Sequence, residues 1–202
     1  MFPDLTRDDV FRIETRRLWL RWPCAKDADA IVQLAGDEAV AGMTAAIPHP
    51  LDRGTVDGFI LGARRDAIEG RSLTMAVAAR SRPQTLIGIV GIAPDADAAG
   101  PHLGYWLGTP HWGRGLATEA VGAMVEAYFA YTPGTVLTSA ARIENAASRR
   151  VLAKLGFASE GTALRPFPAR GGDLPTERFR LDRRVWERRG AHAAAGLVAV
   201  HV

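Results

Sequence analysis

Little in this chain of 202 residues marks it for a membrane, a secretory route or a metal. Cys24 is the only cysteine, which excludes an internal disulfide and predicts a small buried hydrophobe at that position. No apolar run approaches the roughly 20 residues that a spanning helix needs, so no membrane partner is expected. The opening residues, MFPDLTRDDVFRIETRR, carry charge throughout and lack the apolar core of a signal peptide, which predicts a cytoplasmic protein. His49, His102, His111, His192 and His201 share no ligand spacing with one another or with Cys24, so no metal site is expected. A net charge of +3 is too small to imply nucleic acid. The one basic cluster, ERFRLDRRVWERR, is interleaved with Glu177, Asp182 and Glu187 and reads as a solvated face.

What is present is a series of short periodic segments. RRLWLRW alternates as a strand, with Leu18 and Leu20 on one side. AKDADAIVQLAG predicts a short helix stopped at Gly36, and LDRGTVDGFILGARRDAIEG a second one. SLTMAVAAR and QTLIGIVGIA predict neighbouring strands joined at SRPQ, followed by the loop PDADAAGP and a fourth strand, HLGYWLG. Val121, Met124, Val125, Tyr128 and Phe129 recur at helical spacing. TVLTSAA predicts a fifth strand, and NAASRRVLAKLGF a helix capped by Asn145 and closed by Gly156. FASEGTALR and TERFRLDRRVWE predict two closing strands around the turn-rich PFPARGGDLP. Strands mixed with helices give an α+β (mixed α/β) class. The expected organisation is an N-terminal extension over residues 1–13, one domain over 14–187, and a loosely held tail over 188–202.

Between the fourth strand and the helix after it lies GYWLGTPHWGRGLATEA, residues 104–120, rich in glycine. The first turn of a helix has unpaired N–H groups and positive potential, and glycines let a phosphate approach the backbone closely. Gly113, Arg114, Gly115, Leu116 and Ala117 are the candidate donors. A P-loop reading fails, because Gly108 to Gly115 lacks the lysine and the hydroxyl that bind phosphate and magnesium. A dinucleotide reading fails as well: Thr118 stands where the third glycine belongs, and no acidic residue follows about twenty positions on.

Trp112-Gly113-Arg114-Gly115-Leu116-Ala117 resembles the acyl-coenzyme A pyrophosphate loop of the GNAT superfamily of N-acetyltransferases, [QR]-x-x-G-x-[GA], except that tryptophan stands at the first position. ATEA after it, ETRRLWLR at the first strand, LGYWLG at the fourth and NAASRRVLAKLGF after the fifth are similar to the branch of ribosomal-protein N-terminal acetyltransferases (Rim type). The resemblance implies the acyl-CoA N-acyltransferase fold, a central twisted, mostly antiparallel sheet with about four helices and a splayed fourth and fifth strand. It implies acetyl-CoA as co-substrate, bound by Trp112, Gly113, Arg114, Gly115, Leu116, Ala117 and Thr118, by the backbones of Leu107 and Gly108, and by Asn145. It further implies Ser148 as the acid that protonates the leaving sulfur. Related sequences place an acidic residue just before the LGYW strand; His102 stands there here, either as a proton relay or as a surface histidine with no role. The expected reaction is acetyl transfer to a primary amine, foremost a protein N-terminal α-amine. The alternatives are a small amine (an antibiotic or a polyamine) and a non-catalytic acyl-CoA sensor. The protein is expected as a monomer or homodimer. AAIPHP with His49 and LRPFPARGGDLP are expected to shape the acceptor site. Asp37, Glu38 and Asp173 either attract a cationic amine there or are simply solvated. Glu119 and Tyr105 are expected in structural and packing roles.

Overall fold

The alternation of RLWLR is realised in strand form: Leu18 and Leu20 are fully buried, while Trp19 and Arg21 face the other side. The computed structural model describes residues 11–95, 98–190 and 199–201. In chain order the elements are β1 (Arg12–Glu14), β2 (Leu18–Arg21), α1 (Ala28–Ala35), α2 (Glu38–Ala41), α3 (Arg53–Ile68), β3 (Leu73–Ala79), β4 (Arg82–Ala93) and β5 (His102–Leu107). Then follow α4 (Leu116–Tyr131), β6 (Val136–Arg142), α5 (Ala146–Lys154), β7 (Ala158–Phe167), β8 (Gly172–Asp182), α6 (Arg183–Gly190) and β9 (Ala199–His201). The strands make one sheet in the order β7-β8-β6-β5-β4-β3-β2-β1-β9, antiparallel except between β5 and β6. The expected fourth and fifth strands are therefore β5 and β6.

Helices cover both faces of the sheet. Val121, Met124, Val125, Tyr128 and Phe129 of α4 are all buried, and they join Leu103 and Leu107 in the larger core cluster. Val151 and Leu155 of α5 pack against that cluster. On the other face Ile31 of α1, Val56 and Ile60 of α3, and Ile89 of β4 form a smaller cluster, with Trp106 against it. The helices beyond the expected four are short: α2 is one turn after its cap Asp37, and α6 closes the described core.

Cys24 is exposed, not buried. The interior position near it is taken by Asp27, which accepts from the Cys24 N–H at 2.9 Å and from Arg21 at 2.7 and 2.8 Å. A second difference concerns β8, which ends at Asp182 rather than running to Glu187. Arg183 donates to three carbonyls at the end of α4, those of Phe129 (2.8 Å), Thr132 (2.6 Å) and Gly134 (2.9 Å). Trp186 stacks on Phe129 with ring centroids 5.1 Å apart. Residues 183 and 186 share one face of a helix but would lie on opposite faces of a strand, so both contacts require α6. Replacing Arg183 with Met leaves those carbonyls without their charged donor. The expected cost is about 3 kcal/mol, read as a lower urea midpoint with unchanged slope.

The expected extension and tail fall largely outside the described residues. Within them, Phe11 and Ile13 are buried, Arg188 and Arg189 continue α6, and Ala199–His201 pair with β1. Among the described residues no helix is long and apolar enough to cross a membrane.

Candidate active site

The glycine stretch forms a concave run of backbone at the start of α4. Gly113 and Gly115 both adopt left-handed φ, +72° and +71°, which bring successive peptide groups round to one side. None of the N–H groups from Gly113 to Thr118 has an acceptor among the described residues; the first amide of this segment to be used is that of Glu119, which donates to the Gly115 carbonyl at 3.2 Å. The run is also held in direction. Arg17 donates to the Arg114 carbonyl at 2.9 Å, and a planar trans peptide then turns the Gly115 N–H the opposite way, toward the open side. The same Arg17 bonds Glu119 through its backbone (2.8 Å) and Nε (2.6 Å), and Thr15 donates to Glu119 at 2.6 Å. Burial opposes the Glu119 charge, yet these bonds outweigh it and hold the carboxyl below its ordinary range. Glu119 thus has the structural part expected of it, clamping the first turn of α4 to the β1–β2 corner.

Trp112, half exposed, sends its indole N–H back to the Leu107 carbonyl at 2.6 Å and ties the loop to the end of β5. Gly108 does not offer the amide expected of it. Its N–H donates to Ile87 at 3.0 Å and its carbonyl accepts from His111 at 2.9 Å. Glycine is needed there because a Cβ would lie 2.7 Å from Leu34.

The Gly108–Ile87 bond also sets the phase of β5. In an antiparallel ladder peptide groups alternate in direction, so His102, Gly104 and Trp106 turn theirs toward β4, and Leu103, Tyr105 and Leu107 toward β6. Yet β5 and β6 pair only at His102–Thr138. Beyond that point the Leu103 carbonyl takes the Ser139 hydroxyl at 2.8 Å, and the strands separate. The N–H and C=O of Tyr105 and the N–H of Leu107 are left on an edge that no described strand covers.

Asn145 caps α5, its Oδ1 accepting from the Ser148 N–H at 3.0 Å. The Ser148 hydroxyl meets the Tyr105 hydroxyl at 2.8 Å, and Tyr105 also donates to the Ser148 carbonyl at 3.2 Å. This pair bridges the gap between β5 and α5. Burial pushes the Tyr105 phenol up to about 12, with the Ser148 bond acting the other way. The sequence reading takes Tyr105 for a packing residue; its partner lies 43 positions away, and only the fold joins them.

A cavity of about 740 Å³ opens on the opposite face of β5, bounded by α1, the 43–51 segment, α3 and the β7–β8 hairpin. His102, Gly104 and Trp106 of β5 and Ala140 and Arg142 of β6 line it, so it reaches the gap between the two strands. The His102 Nδ1 is buried 3.6 Å from Asp95, whose carboxylate also takes Arg165 at 2.7 Å. Nε2 has no partner among the described residues and is the ring nitrogen left open to the cavity. Burial first, then the Arg165 charge, lowers the His102 pKa to about 4 despite Asp95, so the ring is neutral at pH 7. A carboxylate does stand beside the start of the LGYW strand, that of Asp95 from the loop after β4, where no local motif announces it.

Of the acidic residues offered by sequence for an amine, none lines the cavity. Asp37 caps α2 and accepts from Thr109 at 2.9 Å, while Glu38 and Asp173 are exposed. His49 is also exposed, bonded to the Gly36 carbonyl at 2.8 Å. Parts of the two segments expected at the acceptor site, Ala45–Pro48 and Arg165–Phe167, form wall of this cavity. Among the described residues no three His, Cys, Asp or Glu side chains gather to hold a metal ion.

A strand pair that splays beside a glycine-led helix start defines the acyl-CoA N-acyltransferase fold. The acetyltransferase (GNAT) domain family matches residues 17–158, and the chain belongs to that family of acyltransferases. A protein named "Uncharacterized N-acetyltransferase p20" from Bacillus licheniformis is 27% identical over 173 residues, 85% of this chain and 96% of that protein. Among solved structures, Mycobacterium smegmatis RimJ in complex with CoA-disulfide superposes with a TM-score of 0.77 at 20% identity, covering 97% of this chain and 99% of RimJ. A ribosomal-protein-S5-alanine acetyltransferase from Vibrio fischeri gives 0.73 at 19% identity, covering 87% and 98%.

Proposed function

We propose that this acyltransferase moves an acetyl group from acetyl-CoA to a primary amine, in the first place a protein N-terminal α-amine. The observation that carries the reading is the unsatisfied amide run from Gly113 to Thr118 beside the uncovered edge of β5. The diphosphate of the carrier lies on those amides, with Arg114 at the rim and Asn145 beside it. The pantetheine arm lies along the edge of β5, where the peptide groups of Tyr105 and the N–H of Leu107 are free to bond it.

The amine enters from the cavity and attacks the thioester carbon. The C–N bond forms, the C–S bond breaks, the nitrogen's proton passes to His102 Nε2, and the sulfur takes a proton from Ser148. The Tyr105 N–H, the free edge amide nearer His102 and Ser148, faces the oxygen that gains charge, a contribution often worth several kcal/mol. With its pKa at about 4, His102 is too weak to deprotonate a free ammonium ion, so the amine must arrive neutral. An α-amine, with a pKa near ~8, meets that condition far better than a lysine side chain near ~10.4. The Asp95 carboxylate beside His102 supports turnover over a sensor role. Among the described residues that line the cavity Asp95 is the one carboxylate, and it is paired with Arg165, which disfavours a polyamine.

The test is release of free CoA with peptides bearing a free or a blocked N-terminus, with the products weighed. Acetylation confined to the free α-amine is the expected result; CoA binding with no transfer to any amine would overturn the reading. His102→Ala is expected to lower turnover about 10- to 100-fold across pH 6 to 9, with the same rise toward high pH as wild type, because that rise belongs to the acceptor amine and His102 is already neutral there. A rate equal to wild type at every pH would remove His102 as the base.

A further inference from the structure

The floor of the cavity is nearly bare sheet. Gly91 of β4 and Gly104 of β5 are direct cross-strand partners, and both line it. Glycine inside a strand forfeits side-chain packing, and two of them opposite each other forfeit a whole cross-strand pair. A Cβ added at Gly104 would meet nothing within 4 Å, so no neighbour in the protein demands glycine there. The flanking positions on the same face, His102 and Trp106, stand on either side of this gap. Above it are apolar side chains, Ile47, Leu51, Phe59 and Phe167. Phe59 and Met43 keep 39% and 37% exposure, unusual for large apolar groups on a shared concave wall. Of the charged groups of the wall, Arg165 pairs with Asp95, and Arg142 bonds Glu144 and the Gly42 carbonyl through its two Nη atoms, its buried Nε alone lacking a partner.

We infer that the acceptor carries a large apolar group, of the size of a phenylalanine or leucine side chain, on the carbon next to its amine, and that Gly104 is the residue that admits it. The inference rests on the transferase reading for the direction in which the amine points, toward His102 and the strand gap. The apolar group lies on the bare peptide of Gly91 and Gly104, with the Trp106 indole beside it and Phe59 above. A small side chain such as that of alanine or serine would leave the floor wet and the aromatic wall uncovered.

Calorimetric titration of the CoA-loaded protein with phenylalaninamide, leucinamide, alaninamide and serinamide tests this. The first two are expected to bind at least about tenfold more tightly, the return for burying a large apolar side chain. Gly104→Val, which suits a strand and fills the gap, is expected to bring phenylalaninamide down to the affinity of alaninamide. Phe59→Ala, on the opposite wall, is expected to weaken phenylalaninamide severalfold and leave alaninamide where it was. Equal affinities for the four amides, or a preference for the small ones, would overturn the inference. Acetyl transfer to the same amides is read separately. Preference without transfer counts against the transferase reading alone, and transfer without preference counts against the large acceptor alone.

Discussion

Gly115→Val is expected to weaken CoA binding at least about a hundredfold, or roughly 2.7 kcal/mol. Two effects act together. The native φ of +71° is one that a β-branched residue rarely adopts, so the amide run must distort to accept valine. The side chain would also grow from a Cβ 3.6 Å from Arg17 Nη2 and crowd the guanidinium that holds the Arg114 carbonyl, and with it the direction of the amide run. Gly115→Asn separates these effects, because asparagine enters the left-handed region at little cost. That variant is expected to melt close to wild type and still lose CoA affinity at least about tenfold. Native CoA affinity in both Gly115→Val and Gly115→Asn would show that the amide run from Gly113 to Thr118 does not hold the diphosphate, and the acetyl-CoA reading would fall with it.

Much of this architecture is legible from periodicity because each segment is half-buried in a regular way. Leu18 and Leu20, or Val121 through Phe129, declare the faces they bury. The loop is legible for a different reason: glycine is needed wherever φ is positive, and Gly113 and Gly115 are both such positions. What escapes is whatever depends on distant partners. The alternation through Phe179 and Leu181 reads on as a strand, and only the carbonyls at the end of α4 explain why Arg183 begins a helix instead. Asp95 stands in a loop with no motif, and becomes part of the site because β4 delivers it beside His102 and β7 delivers Arg165. Gly108 shows the converse. A glycine beside a glycine-rich loop invites a ligand contact, but this one serves the close approach of Leu34, and its amide is spent on β4.

The proton for the leaving sulfur provides the second large expected effect. Tyr105 has one hydroxyl hydrogen and two acceptors in reach on Ser148, the hydroxyl at 2.8 Å and the carbonyl at 3.2 Å. When it donates to the hydroxyl, the Ser148 hydrogen is free to turn to the sulfur, and the tyrosine proton replaces the one that leaves, the phenolate then regaining a proton from water before the next turnover. When it donates to the carbonyl, Ser148 is left donating to Tyr105 and has nothing for the sulfur. The two side chains therefore act as one unit. Ser148→Ala and Tyr105→Phe are each expected to lower kcat about a hundredfold, with little change in the affinity for CoA. The double variant is expected to be no worse than the poorer single one, as residues of one relay are not additive. Ser148→Ala keeps the helix cap, because Asn145 accepts from the backbone N–H of residue 148 rather than from its side chain. A fall in kcat with an unchanged unfolding midpoint thus separates chemistry from packing. With the phenol pushed up to about 12, the acid stays protonated through pH 10, so the relay contributes no alkaline limb below that point. Single variants whose losses multiply in the double variant would mean that tyrosine and serine serve different steps, and full activity in either would remove the relay.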